Sequence, residues 1–160
     1  MKAVETNVLK FLQGTKQFVI PIYQRNYDWN IKQCKQLWND IERAASDPTI
    51  QWHFIGSIVY IESGLYQISS VPQLLVINGQ QRLTTLSLLL ASLSKALERA
   101  NIEDEITQLK INNYYLFNSR EKLELHYKIR LRERDKETFL SILSKTTSFL
   151  KNKYGIQEST

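Results

Sequence analysis

The sequence predicts an α+β fold, with a compact mixed β-sheet flanked by helices. Three observations predict this class. Several segments repeat apolar residues at helical spacing, several short runs alternate apolar and polar residues, and the apolar run "LLVI" precedes turn residues. With 160 residues, of which 42% are hydrophobic and 23% charged, the chain is long enough to bury one core. We therefore expect a single domain over 1–160.

The first part of the chain predicts two helices separated by a strand. A short helix is expected over about 4–13, ending at Gly14. In "FVIPIYQRNYDWN" apolar residues alternate, and Pro21 has no N–H to donate, which predicts an edge strand or a strand end. Asn30 and Gln33 have capping-box spacing. The next helix is expected to pack inward through apolar residues at helical spacing, namely Ile31, Cys34, Leu37, Trp38 and Ile41.

The middle of the chain predicts strands followed by a long helix. The run "HFIGSIVYIESGLYQIS" predicts a β-hairpin with its turn at Glu62, Ser63 and Gly64. "LLVI" predicts another strand. A helix ending near Asn101 follows, with one apolar face formed by Leu83, Leu86, Leu89, Leu90, Leu93 and Leu97.

The segment 101–160 is expected to add a helix, a strand and a helix to the core formed by 1–100. The first of these helices is expected over about 103–118. Strict alternation in "KLELHYKIRLR" is typical of a half-buried strand. The last helix, with Asp135 as its cap, is expected to carry apolar side chains at Phe139, Ile142, Leu143 and Leu150.

Composition excludes several classes of protein. The apolar run "LSLLLASL" is short, internal and interrupted by serines, so neither a signal peptide nor a membrane span is expected. One cysteine, Cys34, gives no intramolecular disulfide and fits a cytoplasmic location. It is expected to be an unreactive core residue. A net charge of +5 and a pI near 9.3 favour phosphate-bearing partners.

The junction "INGQQRLTT" carries the strongest functional signal. The first turn of a helix has unpaired N–H groups and a partial positive charge, so it can hold an anion. Gly79 lets the ligand approach the backbone, and Arg82 supplies a planar cation suited to phosphate. Neutral donors surround it at Gln80, Gln81, Thr84 and Thr85. The alternative is a solvated helix start, with Asn78 as N-cap and both threonines bonding back to the helix. That alternative leaves the two glutamines unexplained.

A second candidate segment is "IPIYQRNYDW". It places Gln24 and Arg25 among the aromatic residues Tyr23, Tyr27 and Trp29, a combination able to stack on a base and contact a phosphate. The segment could serve a nucleotide or a nucleic acid. In the structural alternative the aromatic rings belong to the core or its rim, and Arg25 pairs with Asp28.

Taken in order, "IPIYQRNYDW", "FIGSIV" and "INGQQRLTTLSLLL" resemble the signatures of the amino-terminal domain of GmrSD-type modification-dependent restriction systems, the DGQQR family. The resemblance spans about 11–97, with a looser echo in "IRLRERDKETF". It implies a ParB/sulfiredoxin-like fold and a nucleotide-hydrolysing or nucleotide-sensing domain in phage defence. The implied ligand is a nucleoside triphosphate with Mg²⁺, and the implied partner is an HNH-type nuclease domain or subunit absent from this chain.

The resemblance also implies that Gly79, Gln80, Gln81 and Arg82 carry the nucleotide chemistry, with Tyr23, Gln24 and Arg25 nearby. One position departs from the family pattern, because Asn78 stands where the signature has aspartate. An amide cannot act as a general base and binds Mg²⁺ poorly, so hydrolysis is left open while binding is expected to survive. No metal site is predicted. His53 and His126 stand in β-like runs without partners and are interpreted as structural.

The sequence therefore predicts a nucleotide-binding regulatory domain of a restriction protein, either the amino-terminal part of a longer protein or a stand-alone remnant. Asn78 occupies the catalytic position together with Gln80 and Gln81, which would position phosphate or water. Phosphate would be held by the Gly79 backbone and Arg82. The alternatives are a non-enzymatic DNA-binding module that reads modified DNA, and a decayed domain that binds nothing. No P-loop or G-x-G-x-x-G motif occurs.

Overall fold

The computed structural model describes residues 4–62, 71–102 and 106–154. A helical turn with wider spacing covers Asn112–Leu116, and a 3₁₀ helix covers Leu123–His126. The elements in chain order are α1 (Val8–Leu12), β1 (Gln17–Val19), α2 (Ile31–Ser46), β2 (Val59–Glu62), β3 (Gln73–Asn78), α3 (Gln80–Ala100), α4 (Gln108–Ile111), β4 (Ile129–Arg130) and α5 (Glu133–Tyr154). The predicted α+β class, a mixed sheet with flanking helices, is confirmed. The ParB/sulfiredoxin relation stays a prediction.

The four described strands form one sheet in the order β2-β3-β1-β4. Strand β1 pairs in parallel with β3 and β4, with Phe18 opposite Leu74 on one side and Ile129 on the other, and β2 pairs antiparallel with β3. The expected edge position of β1 is therefore wrong, whereas the expected strand end is right. Pro21 lies beyond Val19, where its missing N–H costs no ladder hydrogen bond.

The core lies where the sheet, α3 and α5 meet. Leu83, Phe139 and Leu143 are buried there together with Phe18, Val76 and Ile129 from the strands. The stripe of α3 that is buried includes the small side chains Ser87, Ala91 and Ser94. The expected leucine face is therefore only partly correct, because small residues let α3 approach its neighbours closely while Leu93 is exposed.

Helix α2 begins as predicted but does not pack inward. The Asn30–Gln33 capping box is present. However, the helix has no buried residue, and Ile31 and Trp38 are 72% and 50% exposed. Cys34 is half-buried and lies 3.8 Å from the Tyr27 hydroxyl, so its expected place in the core is also wrong. An amphipathic pattern predicts an apolar face, but it does not supply the partner that would cover that face.

Only the first strand of the expected hairpin lies within the described residues, and Glu62, expected in its turn, is the last residue of β2. Residues 53–58 form no strand, and β2 pairs with β3. The expected turn residues Ser63 and Gly64 and the second run at 65–69 lie outside the described residues. Among the expected helices, α1 is shorter than 4–13, and α4 begins only at Gln108, with 103–105 not described.

The alternation in "KLELHYKIRLR" does not form one strand. Leu123–His126 is a 3₁₀ helix, and only Ile129–Arg130 joins the sheet. The chain must turn here to reach the sheet from the Asn112–Leu116 segment, and Leu123 takes a left-handed φ of 55° at this turn. Helix α5 begins at Glu133, so Asp135 lies in its first turn and is not its cap.

Both histidines, interpreted from sequence as structural, contact neighbouring residues. His53 Nε2 lies 3.6 Å from Asp40 Oδ2 on α2. His126 stacks on Phe117 with ring centres 4.9 Å apart, and its Nδ1 is 3.1 Å from the carbonyl oxygen of Glu121. The residues that the structure describes contain no cluster of three or more His, Cys, Asp or Glu suited to a metal ion. Within those same ranges, no helix has the length and apolar character that crossing a membrane requires.

A buried lysine stabilises the turn between α1 and β1. The Lys128 ammonium donates to the Gly14 carbonyl and, at 3.3 Å, to Asn118 Oδ1. Burial, with a smaller contribution from the nearby Lys16 charge, lowers the pKa of Lys128 to about 8. The folded state therefore releases this proton more readily than the unfolded chain does.

We expect the free energy of unfolding to rise between about pH 8 and pH 10 because of Lys128. In this window the unfolded chain, with a lysine pKa near 10.5, binds more protons than the folded chain. One such group contributes a slope of at most roughly 1.4 kcal/mol per pH unit. Urea unfolding across this range should show the slope in the wild type and a flatter profile in Lys128→Met. Equal slopes in both proteins would contradict the assignment.

Candidate functional site

The junction between β3 and α3 is closed by a glycine in a left-handed conformation. Gly79 has φ 93° and is the N-cap residue of α3. A Cβ at this position would lie 2.8 Å from the Ser57 carbonyl oxygen and 3.0 Å from Ile58 Cγ1. Glycine is therefore required by the close approach of the 57–58 segment as well as by φ. Asn78 is the last residue of β3, is exposed, and accepts a hydrogen bond from Gly79 N at 2.8 Å through Oδ1.

The two glutamines of the junction are buried, and they hold a loop formed by residues 24–28. Gln80 Nε2 donates to the Arg25 carbonyl and Gln81 Nε2 donates to the Asn26 carbonyl, each at 2.8 Å. Gln81 Oε1 also accepts from Asp28 N at 3.0 Å. Only 7% of Gln80 and 5% of Gln81 is exposed. Two glutamines are needed because two successive backbone carbonyls of the loop point at α3.

The threonines and Gln24 complete the attachment of this 24–28 loop. The Tyr27 hydroxyl and Thr85 Oγ1 are 2.9 Å apart, and Thr85 Oγ1 also donates to the Gln81 carbonyl. Gln24 Nε2 donates to the Ile77 carbonyl at 2.7 Å. Thr84 is buried beside them. Burial is the main reason that the pKa of Tyr27 is raised, so this phenol stays protonated at neutral pH.

Two residues that the sequence did not place at this site hold the loop from the opposite side. Arg132 donates to the Gln24 carbonyl at 2.5 Å, and Asp135 Oδ2 accepts from Tyr27 N at 2.8 Å. Both belong to the segment "IRLRERDKETF", whose looser resemblance to the family was the available signal. The first turn of α5 therefore forms part of the site.

Arg82 is the charged residue of the "INGQQRLTT" junction. Its side chain is half-buried and lies against Gly56, where a Cβ would be 2.6 Å from Arg82 Cζ. Over the described ranges its guanidinium makes no hydrogen bond and no ion pair. Gly56, in the signature "FIGSIV", was not assigned a role from sequence. Its lack of a side chain creates the space that this guanidinium occupies.

The predicted residues on the outer side of the loop are more exposed. Arg25 pairs with Asp28 at 3.1 Å, with both side chains more than half exposed, as the structural alternative predicted. Tyr23 is 67% exposed, whereas Tyr27 and Trp29 are half-buried. Tyr23 and Arg25 therefore face solvent, where a ligand could reach them.

A small pocket lies between the loop, α3 and the start of α5. The volume of the pocket that water can occupy is about 10 Å³. The polar residues that line it include Arg25, Gln80, Arg132 and Asp135. The described residues supply no hydrogen-bond donor to the buried Oε1 of Gln80, whose side chain lines this pocket, or to the buried Oδ1 of Asn26 in the loop. A pocket of this size holds roughly one water molecule, which could donate to such oxygens.

The residues at the junction fit an anion better than a metal ion. The nearby carboxylates are committed, Asp28 to Arg25 and Asp135 to Tyr27 N, and Asn78 Oδ1 accepts from Gly79 N. Mg²⁺ requires free oxygen ligands, usually at least one carboxylate. The donor set consists instead of helix N–H groups and arginine, so we derive no chemical step through a protein-held Mg²⁺.

Replacing Gln81 should destabilise the fold more than replacing Gln80. Gln81→Leu leaves the Asn26 carbonyl and the Asp28 N–H unpaired, and each buried unpaired group costs about 1–3 kcal/mol. Gln80→Leu leaves only the Arg25 carbonyl unpaired and also removes an oxygen to which no described residue donates. Urea denaturation of the two variants measures the difference. An equal or reversed order would show that the loop is not held as described.

Comparison with known proteins identifies the family. None of the curated proteins shows a significant match to this chain. The family profile described as "GmrSD restriction endonuclease, N-terminal domain" matches residues 8–159. The match includes the junction, the 24–28 loop and the first turn of α5. The chain therefore belongs to the family of GmrSD restriction endonuclease N-terminal domains.

Proposed function

We propose that this domain binds a nucleoside triphosphate at the β3–α3 junction and acts as the nucleotide-binding regulatory domain of a phage-defence restriction protein. One observation carries the proposal. Arg82 holds a permanent positive charge, without a partner in the described ranges, at the amino-terminal turn of a 21-residue helix. A permanent positive charge at a helix amino terminus favours an anionic ligand.

The backbone adds to this positive potential. The first intrahelical hydrogen bond of α3 runs from Leu83 N to the Gly79 carbonyl, so the N–H groups of Gln80, Gln81 and Arg82 have no partner within the helix. These groups and the helix dipole favour negative charge. In this proposal phosphate is held by these N–H groups and by the Arg82 guanidinium.

The structure suggests a division of roles that differs from the one expected from sequence. In this proposal Arg82 and the first-turn N–H groups hold phosphate, while Tyr23 and Arg25 reach the ligand from the loop. Gln80 and Gln81 act as positioning residues, since their amide N–H groups already bond the loop backbone. Support of the loop falls to the buried or bonded side chains of Gln24, Thr84 and Thr85.

Binding without hydrolysis is the activity best supported for this chain. Asn78 brings no negative charge to the junction, and the neighbouring carboxylates are already paired. An amide cannot accept a proton from an attacking water as a general base does. In this proposal nucleotide occupancy is a signal, and a nuclease domain or subunit of the kind that the family name implies performs the cleavage.

Replacing Arg82 should remove nucleotide binding and leave the fold intact. A charge-assisted hydrogen bond contributes about 1.5–3 kcal/mol, so Arg82→Ala should weaken affinity by at least about tenfold. Isothermal titration calorimetry with ATP, GTP, CTP and UTP, with and without magnesium, measures this. Arg99→Ala is the matched control, because Arg99 lies in the last turn of the same helix.

Gly56→Ala tests the same assignment without removing the charge. A Cβ at Gly56 would displace the guanidinium, so nucleotide affinity should fall although arginine is present, and circular dichroism separates this effect from the backbone strain that alanine meets at φ 107°. Unchanged affinity in Arg82→Ala, or absence of nucleotide binding by the folded wild type, would overturn the proposed function.

Asn78→Asp should make nucleotide binding depend on magnesium. The aspartate keeps an acceptor for Gly79 N and adds a charge that repels phosphate unless a cation intervenes. Calorimetry should then show weaker binding without magnesium and recovery with it, whereas wild-type affinity should change little. A phosphate-release assay on the same variant tests whether hydrolysis accompanies this change.

DNA binding is the second candidate function, and exposed aromatic residues favour it. Trp52 and Phe54 are mostly exposed on either side of His53, which contacts α2, and Tyr23 and Trp38 are also exposed. Exposed rings beside basic residues can stack on unpaired bases. DNA affinity that falls steeply with salt and persists in Arg82→Ala would favour this function over nucleotide binding.

A further inference from the structure

A larger cavity borders strand β4. It has a volume of about 360 Å³ and lies between the 3₁₀ helix, β4 and the first turns of α5. Six apolar side chains line most of it, namely Leu123, Tyr127, Ile129, Leu131, Phe139 and Leu140. Ligand pockets commonly measure about 300–1,000 Å³. The cavity is therefore large enough for at least one bulky apolar group.

The strand beside this cavity has an open edge. Strand β4 is the last strand of the sheet, and the carbonyls of Lys128 and Arg130 accept from Phe18 N in β1 and from Ile20 N just after it. Successive residues of a strand direct their backbone groups to opposite sides, so those of Ile129 point away from β1. In the part of the chain that the structure describes, no hydrogen bond reaches the N–H or C=O of Ile129. A backbone donor and acceptor thus remain for another strand.

The mouth of the cavity is apolar and strained. Leu123 is 88% exposed, and its φ of 55° is unfavourable for a leucine. Strained backbone that exposes a large apolar side chain is more frequent at binding sites than elsewhere. A partner that covered Leu123 would remove this apolar surface from water.

The charges around the cavity favour an acidic partner. Of the charged residues that line it, Arg130 and Lys136 are basic and Glu124 is acidic. At the rim Glu124 accepts from Lys136 at 2.6 Å and lies 3.7 Å from Arg130. Lys136 is thus well paired, whereas the Arg130 side chain is 44% exposed and has only this longer contact within the described ranges. A carboxylate of the partner could pair with Arg130.

We propose that the groove between β4 and α5 binds an extended peptide segment of a partner protein, in which a bulky apolar residue stands next to an acidic one. The segment adds a strand to the open edge at Ile129, inserts its apolar side chain into the cavity, and places its carboxylate beside Arg130. Recognition by strand addition obtains affinity from main-chain hydrogen bonds and specificity from side-chain pockets. The proposal is independent of nucleotide binding.

Peptide selection on the intact chain tests the proposal. A phage library of random linear peptides of about seven residues is selected on the immobilised protein, because peptides of this length can span an edge strand. We expect the enriched peptides to share a bulky apolar residue with Asp or Glu within two positions. A labelled synthetic copy of the most enriched peptide is then titrated by fluorescence polarisation.

Two variants and one peptide modification locate the binding. Leu140→Glu places a charge in the cavity and should weaken affinity at least about tenfold. Leu123→Gly removes the side chain at the mouth and relieves the left-handed backbone, so it should weaken binding without lowering the thermal midpoint. Methylation of the peptide nitrogen that pairs with the Ile129 carbonyl should also weaken binding. Leu109→Glu, at an exposed apolar residue of α4, is the matched control and should bind normally.

Several results would overturn the proposal. These are a failure to enrich any peptide family, enrichment of basic peptides, or equal binding of the selected peptide to wild type and Leu123→Gly. If no position along the peptide is sensitive to nitrogen methylation, strand addition is wrong even if the cavity is filled. Circular dichroism shows whether Leu140→Glu is folded, and therefore whether its loss of binding results from the charge in the cavity or from unfolding. If Leu140→Glu is unfolded, the affinity of Leu123→Gly tests the proposal instead.

Discussion

The structure depends on one constraint, which is that the backbone of the 24–28 loop is brought against α3 and must find hydrogen-bond partners there. Two successive carbonyls and one N–H are satisfied by the side chains of Gln80 and Gln81. A buried peptide group without a partner would cost more than most single contacts in the fold contribute. The glutamines therefore bring "IPIYQRNYDW" and "INGQQRLTT" together, and Arg132 and Asp135 attach the start of α5 to the same loop.

Glycine packing brings the third signature to the same place. Gly79 permits the approach of Ser57 and Ile58, and Gly56 permits the approach of Arg82. Each glycine thus makes room for the other's segment, so "FIGSIV" and the junction fit together as a reciprocal pair. The three signatures are far apart in sequence, but they lie in one region because their groups are complementary. Glutamine amides bond loop carbonyls, and the Arg82 cation occupies the space beside a glycine that has no side chain.

The predictions from sequence were correct for features that depend on neighbouring residues in the chain. They failed for features that depend on contacts with distant parts of the fold. The capping box at Asn30, the β3–α3 junction and the end of α3 at Asn101 follow from local rules and are confirmed. The predictions that α2 packs inward and that "KLELHYKIRLR" forms one strand were wrong. Periodicity predicts which residues share a face, but it does not predict which element covers that face. At the candidate site, sequence singled out Gln80 and Gln81 but did not predict that they bond the 24–28 loop. The residue type glutamine does not show that its side chain bonds a loop carbonyl. Arg132 and Asp135 lie about 50 residues from the junction, so the local sequence does not connect them with it.

Asn78 has a consequence for how such a domain can change over generations. Its side chain is exposed, and its one hydrogen bond within the described ranges uses an oxygen that asparagine and aspartate have in common. The fold is therefore nearly indifferent to which of the two is present, although the charge at the mouth of the junction differs by one unit. Because asparagine and aspartate codons differ by a single nucleotide, a lineage can cross between the two charge states in either direction without first losing the folded domain. Selection on the ligand, and not on stability, would then determine which residue persists.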